Sequence, residues 1–434
     1  MKRIVIIALV LGGFLNLNAQ ELVLLNYTVL SKKYEKSEAA INNEKKSVKP
    51  ATWFNRGKLM QEIYKIDLEY LAEGTSMNQL KIYYKEPLKT ENGEDGNTQI
   101  LTYERIKYYM VNGSLSRWER TKMVTDDPLG KAYEAYVKTM ELDTKGSFTD
   151  KVKDQMNKLK DDYKQDGINK YYSDDFTGAL EDFEMVLKIN DLKIFEGVVD
   201  TIMIQYSGII AREMEDYKKS AMYYEKLTEL NYGGPNTFLN IKNDYMALGD
   251  SAAALATVEK AFKKYPDTLN VVANLVDLYI KTGKVEKGIE TVDNAIKENP
   301  DKGELYYWKG RLLLNTEDDN RIDVALENYK KSIELNESLY YVYYDIGFIY
   351  FLQGQDLFSQ AGLERDTERR AQITEVATEK YNESIPMMQK SLELNDGSRE
   401  IKKETLDVLK RIYYKLYGVE DQRYKDIIEE LDKL

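Results

Sequence analysis

Catalytic side chains are scarce in this chain. It has 434 residues without one cysteine or histidine. That excludes thiolate nucleophiles, disulfides, Ser-His-Asp relays and His-based zinc sites. No glycine-rich phosphate loop, nucleotide fingerprint or calcium loop is present. Carboxylates remain, some as adjacent pairs: Asp126–Asp127, Asp161–Asp162, Asp174–Asp175 and Asp318–Asp319. Neighbours at i and i+1 do not share a helix face, so each pair is read as turn or helix-start polarity. A hydrolase using carboxylates alone stays open, because pairing in space is invisible here; it would need two acids facing each other across a pocket. Tyrosine is the other chemical resource, at 35 residues, with doublets such as Tyr83–Tyr84, Tyr223–Tyr224 and Tyr343–Tyr344. Phenol rings pack in cores and also contact peptides or sugars. The stretch Tyr340–Phe351 carries too many rings for one core-facing stripe, so some of them are expected to line a groove or cover a neighbouring helix. With 62 basic and 74 acidic residues, the net charge of -12 argues against broad nucleic-acid binding.

These side chains need elements to position them, and an internal period supplies the elements. Phe238, Ile241, Tyr245, Gly249, Ala254, Val258, Ala261 and Pro266 are matched 34 residues later by Val272, Leu275, Tyr279, Gly283, Gly288, Val292, Ala295 and Pro300. Ala254 and Ala261 stand seven apart and share a helix face, where small residues let paired helices approach. Gly249 and Gly283 end first helices, and Pro266 and Pro300 follow second ones. The pattern resembles the tetratricopeptide repeat, a 34-residue helix–turn–helix unit, through "ALATVEKAFKKYP", "GIETVDNAIKENP", "ALENYKKSIELN" and "SIPMMQKSLELN". It extends to "ALEDFEMVLKIN" at Ala179–Asn190, and to "ATWFNRG" at Ala51–Gly57 and "KAYEAYVKTMELD" at Lys131–Asp143. The expected fold is all-α, a superhelical solenoid of antiparallel helix pairs. One pair cannot bury its own apolar face, so neighbours must complete the core.

The resemblance implies a concave groove lined by first helices and a protein or peptide partner. Carried over, the lining includes Asn236, Asn243, Asn270, Asn274, Tyr307, Arg311, Tyr344 and Phe348, with Leu239, Ala273 and Asp277. Asn243 and Asn274 match asparagines of the family's carboxylate clamp, whereas Leu239 and Asn270 stand where its lysines would be. A non-catalytic scaffold without cofactor or metal is therefore expected, with a glycan-binding module as the alternative to it and to the hydrolase.

Organisation along the chain follows. Lys2 and Arg3, the apolar stretch Ile4–Leu15 and Ala19–Gln20 read as a signal peptide over 1–20, with no lipobox cysteine. The mature chain is then expected in the periplasm or outside the cell, without stable membrane insertion. Divergent helical repeats are expected over 21–158, the repeat array over 159–396, and capping helices over 397–434. Residues 90–97 read as a polar loop between helices. Residues 352–379 read as an insertion: "QGQDLFSQAG" as an irregular turn, then a charged helix that lengthens the second helix of its repeat and projects as an arm.

Overall fold

The computed structural model describes residues 26–395 and 397–434; the signal-peptide expectation lies outside them. They form two compact units, one reaching Leu227 and one starting at Thr228.

The first unit opens with α1 (Tyr27–Ile41), α2 (Glu44–Ser47) and α3 (Pro50–Tyr64), followed by the short α4 (Met77–Tyr83). A four-stranded antiparallel meander comes next: β1 (Lys89–Asn92), β2 (Thr98–Thr102), β3 (Ile106–Val111) and β4 (Ser114–Arg120). The chain then returns to helices, with α5 (Pro128–Leu142), α6 (Thr149–Tyr172), α7 (Phe176–Asn190), α8 (Thr201–Glu213) and α9 (Tyr217–Glu229), the last crossing into the second unit. The helix-pair class expected from the period holds, and the meander is an addition to it. Residues 90–97 accordingly join strands, not helices: Lys89–Asn92 pairs in register with Gln99–Thr102. β3 alternates buried and half-buried side chains, and Asn112–Gly113, both left-handed, close a two-residue hairpin to β4.

α3 packs against α5 although more than sixty residues separate them. This is a helix pair split by an insertion. Gly57 on α3 lies under the Tyr136 ring of α5, where a Cβ would come within 2.4 Å of a ring carbon. Gly310 and Tyr329 repeat that contact in the second unit, also at 2.4 Å.

The second unit is a run of pairs: α10 (Gly234–Ala247) with α11 (Ser251–Lys264), α12 (Leu269–Lys281) with α13 (Val285–Glu298), and α14 (Gly303–Leu313) with α15 (Arg321–Leu335). α16 (Tyr340–Leu363) with α17 (Thr367–Leu394), and α18 (Arg399–Tyr417) with α19 (Gln422–Asp432), complete it. Ala254, Val258, Ala261, Leu275 and Tyr279 are buried in a cluster that continues to Leu305 and Leu312. A second cluster joins Tyr307 and Tyr329 to Val342 and Ile346, and a third joins Phe351 and Tyr381 to Leu406, Leu409 and Ile412. Each apolar face is finished by the next pair, as a solenoid requires. Left-handed Gly249 and Gly283 end α10 and α12, and Asp250 caps α11 by accepting from the Ala253 amide at 2.8 Å.

The insertion at 352–379 differs from its expected form. "QGQDLFSQAG" is not a turn but continues α16, and α17 begins at Thr367. Both helices lengthen together, and the Tyr381 ring packs on Gly354. The arm is thus a packed hairpin. Among the described residues no helix is long and apolar enough to cross a membrane.

Candidate functional site

The first helices of the second unit carry a column of equivalent positions. Asn243 on α10, Asp277 on α12, Arg311 on α14 and Asp345 on α16 follow one another at 34-residue steps. Equal steps in a helix-pair stack bring these side chains to the same edge of successive first helices. Arg311 Nη2 lies 3.4 Å from Asp277 Oδ1, and its guanidinium sits 5.5 Å from the Trp308 ring centroid. On the other side it faces Asp345. Burial pushes the Asp345 carboxyl up to about 6, against the Tyr307 hydroxyl that donates to it and the charge of Arg311. Lys242 faces Asp277, but burial holds its ammonium below the usual lysine range.

The residues named from sequence divide by place. Asn236, Asn243 and Asn270 are exposed, and half-buried Asn274 donates to the Asn270 carbonyl at 2.7 Å. Arg311 is half-exposed on the column. Tyr307 is buried at 7% exposure, with centroids 5.4 Å from Tyr329 and 4.8 Å from Tyr341. Its ring therefore supports the face from beneath and does not line an open groove. Tyr344 and Phe348 stack at 5.7 Å and pack against the core made with α18 and α19. The Tyr344 hydroxyl bonds Glu404, so the capping helices, not a free groove, receive much of this pair. Sequence reasoning missed Asp345, Trp308 and Glu404. One more 34-residue step from Arg311 would have found Asp345.

This face can pair charges, accept and donate hydrogen bonds, and stack on rings. Its members are not a nucleophile–base set. The adjacent aspartates also find structural places. Asp127 and Asp175 cap α5 and α7 through the Gly130 and Gly178 amides, both at 2.9 Å. Asp161–Asp162 departs from the turn reading: it lies inside α6, where buried Asp162 accepts from Gln61 at 2.8 Å and pairs with Lys65 at 3.1 Å. Among the described residues no group of three acids could hold a metal ion.

Residues 245–312 match the tetratricopeptide repeat family model. A TPR repeat-containing protein of Methanocaldococcus jannaschii is 23% identical over 301 residues, 58% of this chain and 51% of that protein. The chain thus spans about half the length of that relative. Among solved structures, a TPR repeats protein from Bacteroides fragilis is similar at 17% identity and a TM-score of 0.32, covering 57% of this chain and 97% of that one. A tetratricopeptide repeat protein from Parabacteroides merdae is similar at 12% identity and a TM-score of 0.37, covering 63% and 92%. The match over residues 245–312 falls in the midst of helix pairs that repeat at 34 residues, and it is over these residues that the chain is similar to the tetratricopeptide repeat.

Proposed function

We propose that the chain is a non-catalytic scaffold that holds an extended segment of a partner protein against the first helices of its second unit. The observation that carries this reading is the column Asn243–Asp277–Arg311–Asp345, with exposed Asn243 at one end and a ring-backed guanidinium in its middle. Asparagine side chains offer a peptide backbone both a donor and an acceptor. A guanidinium gives a carboxylate or carbonyl a forked contact. The glycan reading finds less support, because Tyr108, Tyr136, Tyr279 and Tyr329 are spent in the core. The hydrolase reading is disfavoured too: half-buried Asp166 and buried Asp182 close on one ammonium, that of Lys170, at 3.1 and 2.7 Å. The basic start, apolar stretch and Ala19–Gln20 support work in the periplasm or outside the cell.

The test is capture of partners from the exported fraction by the wild-type chain and by a variant carrying Asn243→Ala and Arg311→Ala. Loss of a specifically captured protein by a variant with unchanged helicity is expected. Capture of the same proteins in the same amounts would end the proposal.

A further inference from the structure

The meander of the first unit has one covered edge and one open edge. β4 is covered by the segment that leads into α4. The Gly74 amide donates to the Leu115 carbonyl and the Leu115 amide to the Thr75 carbonyl, both at 2.7 Å, and the Met77 amide reaches the Gly113 carbonyl at 2.9 Å. β1 has no such cover: it pairs with β2 alone, and all four of its residues are exposed. The Gly93 amide donates to the Thr98 carbonyl at 2.8 Å, and Glu91 and Lys89 stand opposite Ile100 and Thr102. That register turns the backbone groups of Lys89, Glu91 and Gly93 toward β2, and in an antiparallel ladder the alternate residues point the other way. The amides and carbonyls of Thr90 and Asn92 thus form an outward row with no backbone partner among the described residues.

The surroundings turn this edge into a groove. A cavity of about 190 Å³ opens between β1 and α4, with Thr90 at its lip and buried Leu80 and Leu101 in its floor. Its mouth carries exposed Lys81 and Lys85, which form no ion pair among the described residues, against one acid, Glu86. Lys89 and Glu91 leave the cavity side clear, because they pair with each other at 2.7 Å on the opposite face of the strand. Two large apolar side chains stand in water beside the edge: Leu88, just before β1, is 77% exposed, and Ile82, on α4, is 68% exposed.

We propose that the β1 edge takes up an extended acidic segment of a partner protein as an added strand, with an apolar side chain over the cavity and carboxylates two residues to either side meeting Lys81 and Lys85. Backbone pairing along an open edge holds such a strand, and the cavity selects among every second side chain. The lysines at the mouth set the charge preference: an acidic strand is drawn in, and a basic one is repelled. The surface lies wholly within the first unit and is independent of the column on the second.

Calorimetry and hydrogen exchange on the full chain test this, with acetyl-Thr-Glu-Thr-Leu-Thr-Glu-Thr-amide and acetyl-Thr-Lys-Thr-Leu-Thr-Lys-Thr-amide as probes. The glutamate peptide is expected to saturate, to bind at least tenfold tighter than the lysine peptide, and to slow exchange over Lys89–Asn92. Thr90→Pro removes one outward donor and leaves every β1–β2 bond in place; checked by its melting curve, it should weaken the glutamate peptide at least tenfold. Lys81→Gln with Lys85→Gln, both at exposed positions, should remove the preference between the peptides. Arg311→Ala should change nothing, which separates this surface from the second-unit column. No saturation by the glutamate peptide, equal affinity for the two peptides, a preference untouched by the glutamine pair, or binding without slower exchange over Lys89–Asn92 would each overturn the proposal.

Discussion

Asp345 sits in an environment that its residue type does not announce. Burial raises its folded-state value from 3.8 to about 6. An acid raised on folding binds more protons folded than unfolded between those values. Its contribution to stability is therefore full below pH 4 and falls as pH rises toward 6. Asp345→Asn is expected to flatten that part of the stability profile, read as urea midpoints at pH 4, 5 and 6.5. Lys170 makes the opposite case. Burial works against its charge, but Asp166 and Asp182 outweigh it and raise its value. Asp182 is itself raised, first by burial and then by Asp166. Lys170→Met would leave Asp182 facing Asp166 with Arg120, 3.8 Å from Asp166, as the remaining cation. A loss of about 3–5 kcal/mol at pH 9 is expected, smaller at pH 6, where Asp182, raised to about 8, holds a proton. Denaturant unfolding at both pH values checks it. Neither environment was legible in the sequence, since Asp166 and Asp182 meet only because α6 and α7 are antiparallel. Asp345 was legible in principle as the next step after Arg311, but its burial was not.

Among elements, legibility tracked period. The pairs from α10 to α15 follow a 34-residue rhythm and are found where the sequence places them. The meander was missed although its signals are present. Ile106, Tyr108 and Met110 alternate, and Asn112–Gly113 is a hairpin turn. A helical frame on both sides made the polar run at 90–97 look like a simple connection. The split pair α3 and α5 was half legible: both segments carry repeat character, but the insertion hides that they are partners. In α16, the residues Gln353, Gly354, Gln355 and Asp356 have turn-like composition, yet packing of Tyr381 on Gly354 keeps them helical. The arm's tip has less to hold it, with Leu363 86% exposed. Replacing residues 359–373 by a short glycine-containing turn keeps Phe358, Tyr381 and Gly354. Such a chain is expected to lose about 1 kcal/mol or less and to retain every partner captured by the intact chain. A lost partner would make the arm a docking element in its own right.

For the whole molecule, the governing fact is that stability passes between neighbours. In the second unit three apolar clusters follow one another from α10 to α19, and Trp308 packs against two of them. The last lies at the α18–α19 end of the described residues. α18 closes it by burying Leu406, Leu409, Ile412 and Tyr413 against Phe351, Tyr381 and Met388, while α18 and α19 turn charged residues outward. Removing residues 397–434 would therefore expose a contiguous apolar face on α16 and α17. In a linear array the cost falls first on the adjoining pair and fades with distance. Hydrogen exchange of the truncated chain should show lost protection in α16 and α17, with α10–α13 still protected, and size-exclusion should show concentration-dependent association through the bared face. If protection is lost uniformly from α10 onward, the second unit folds as one cooperative body, and the nearest-neighbour account of its pairs fails.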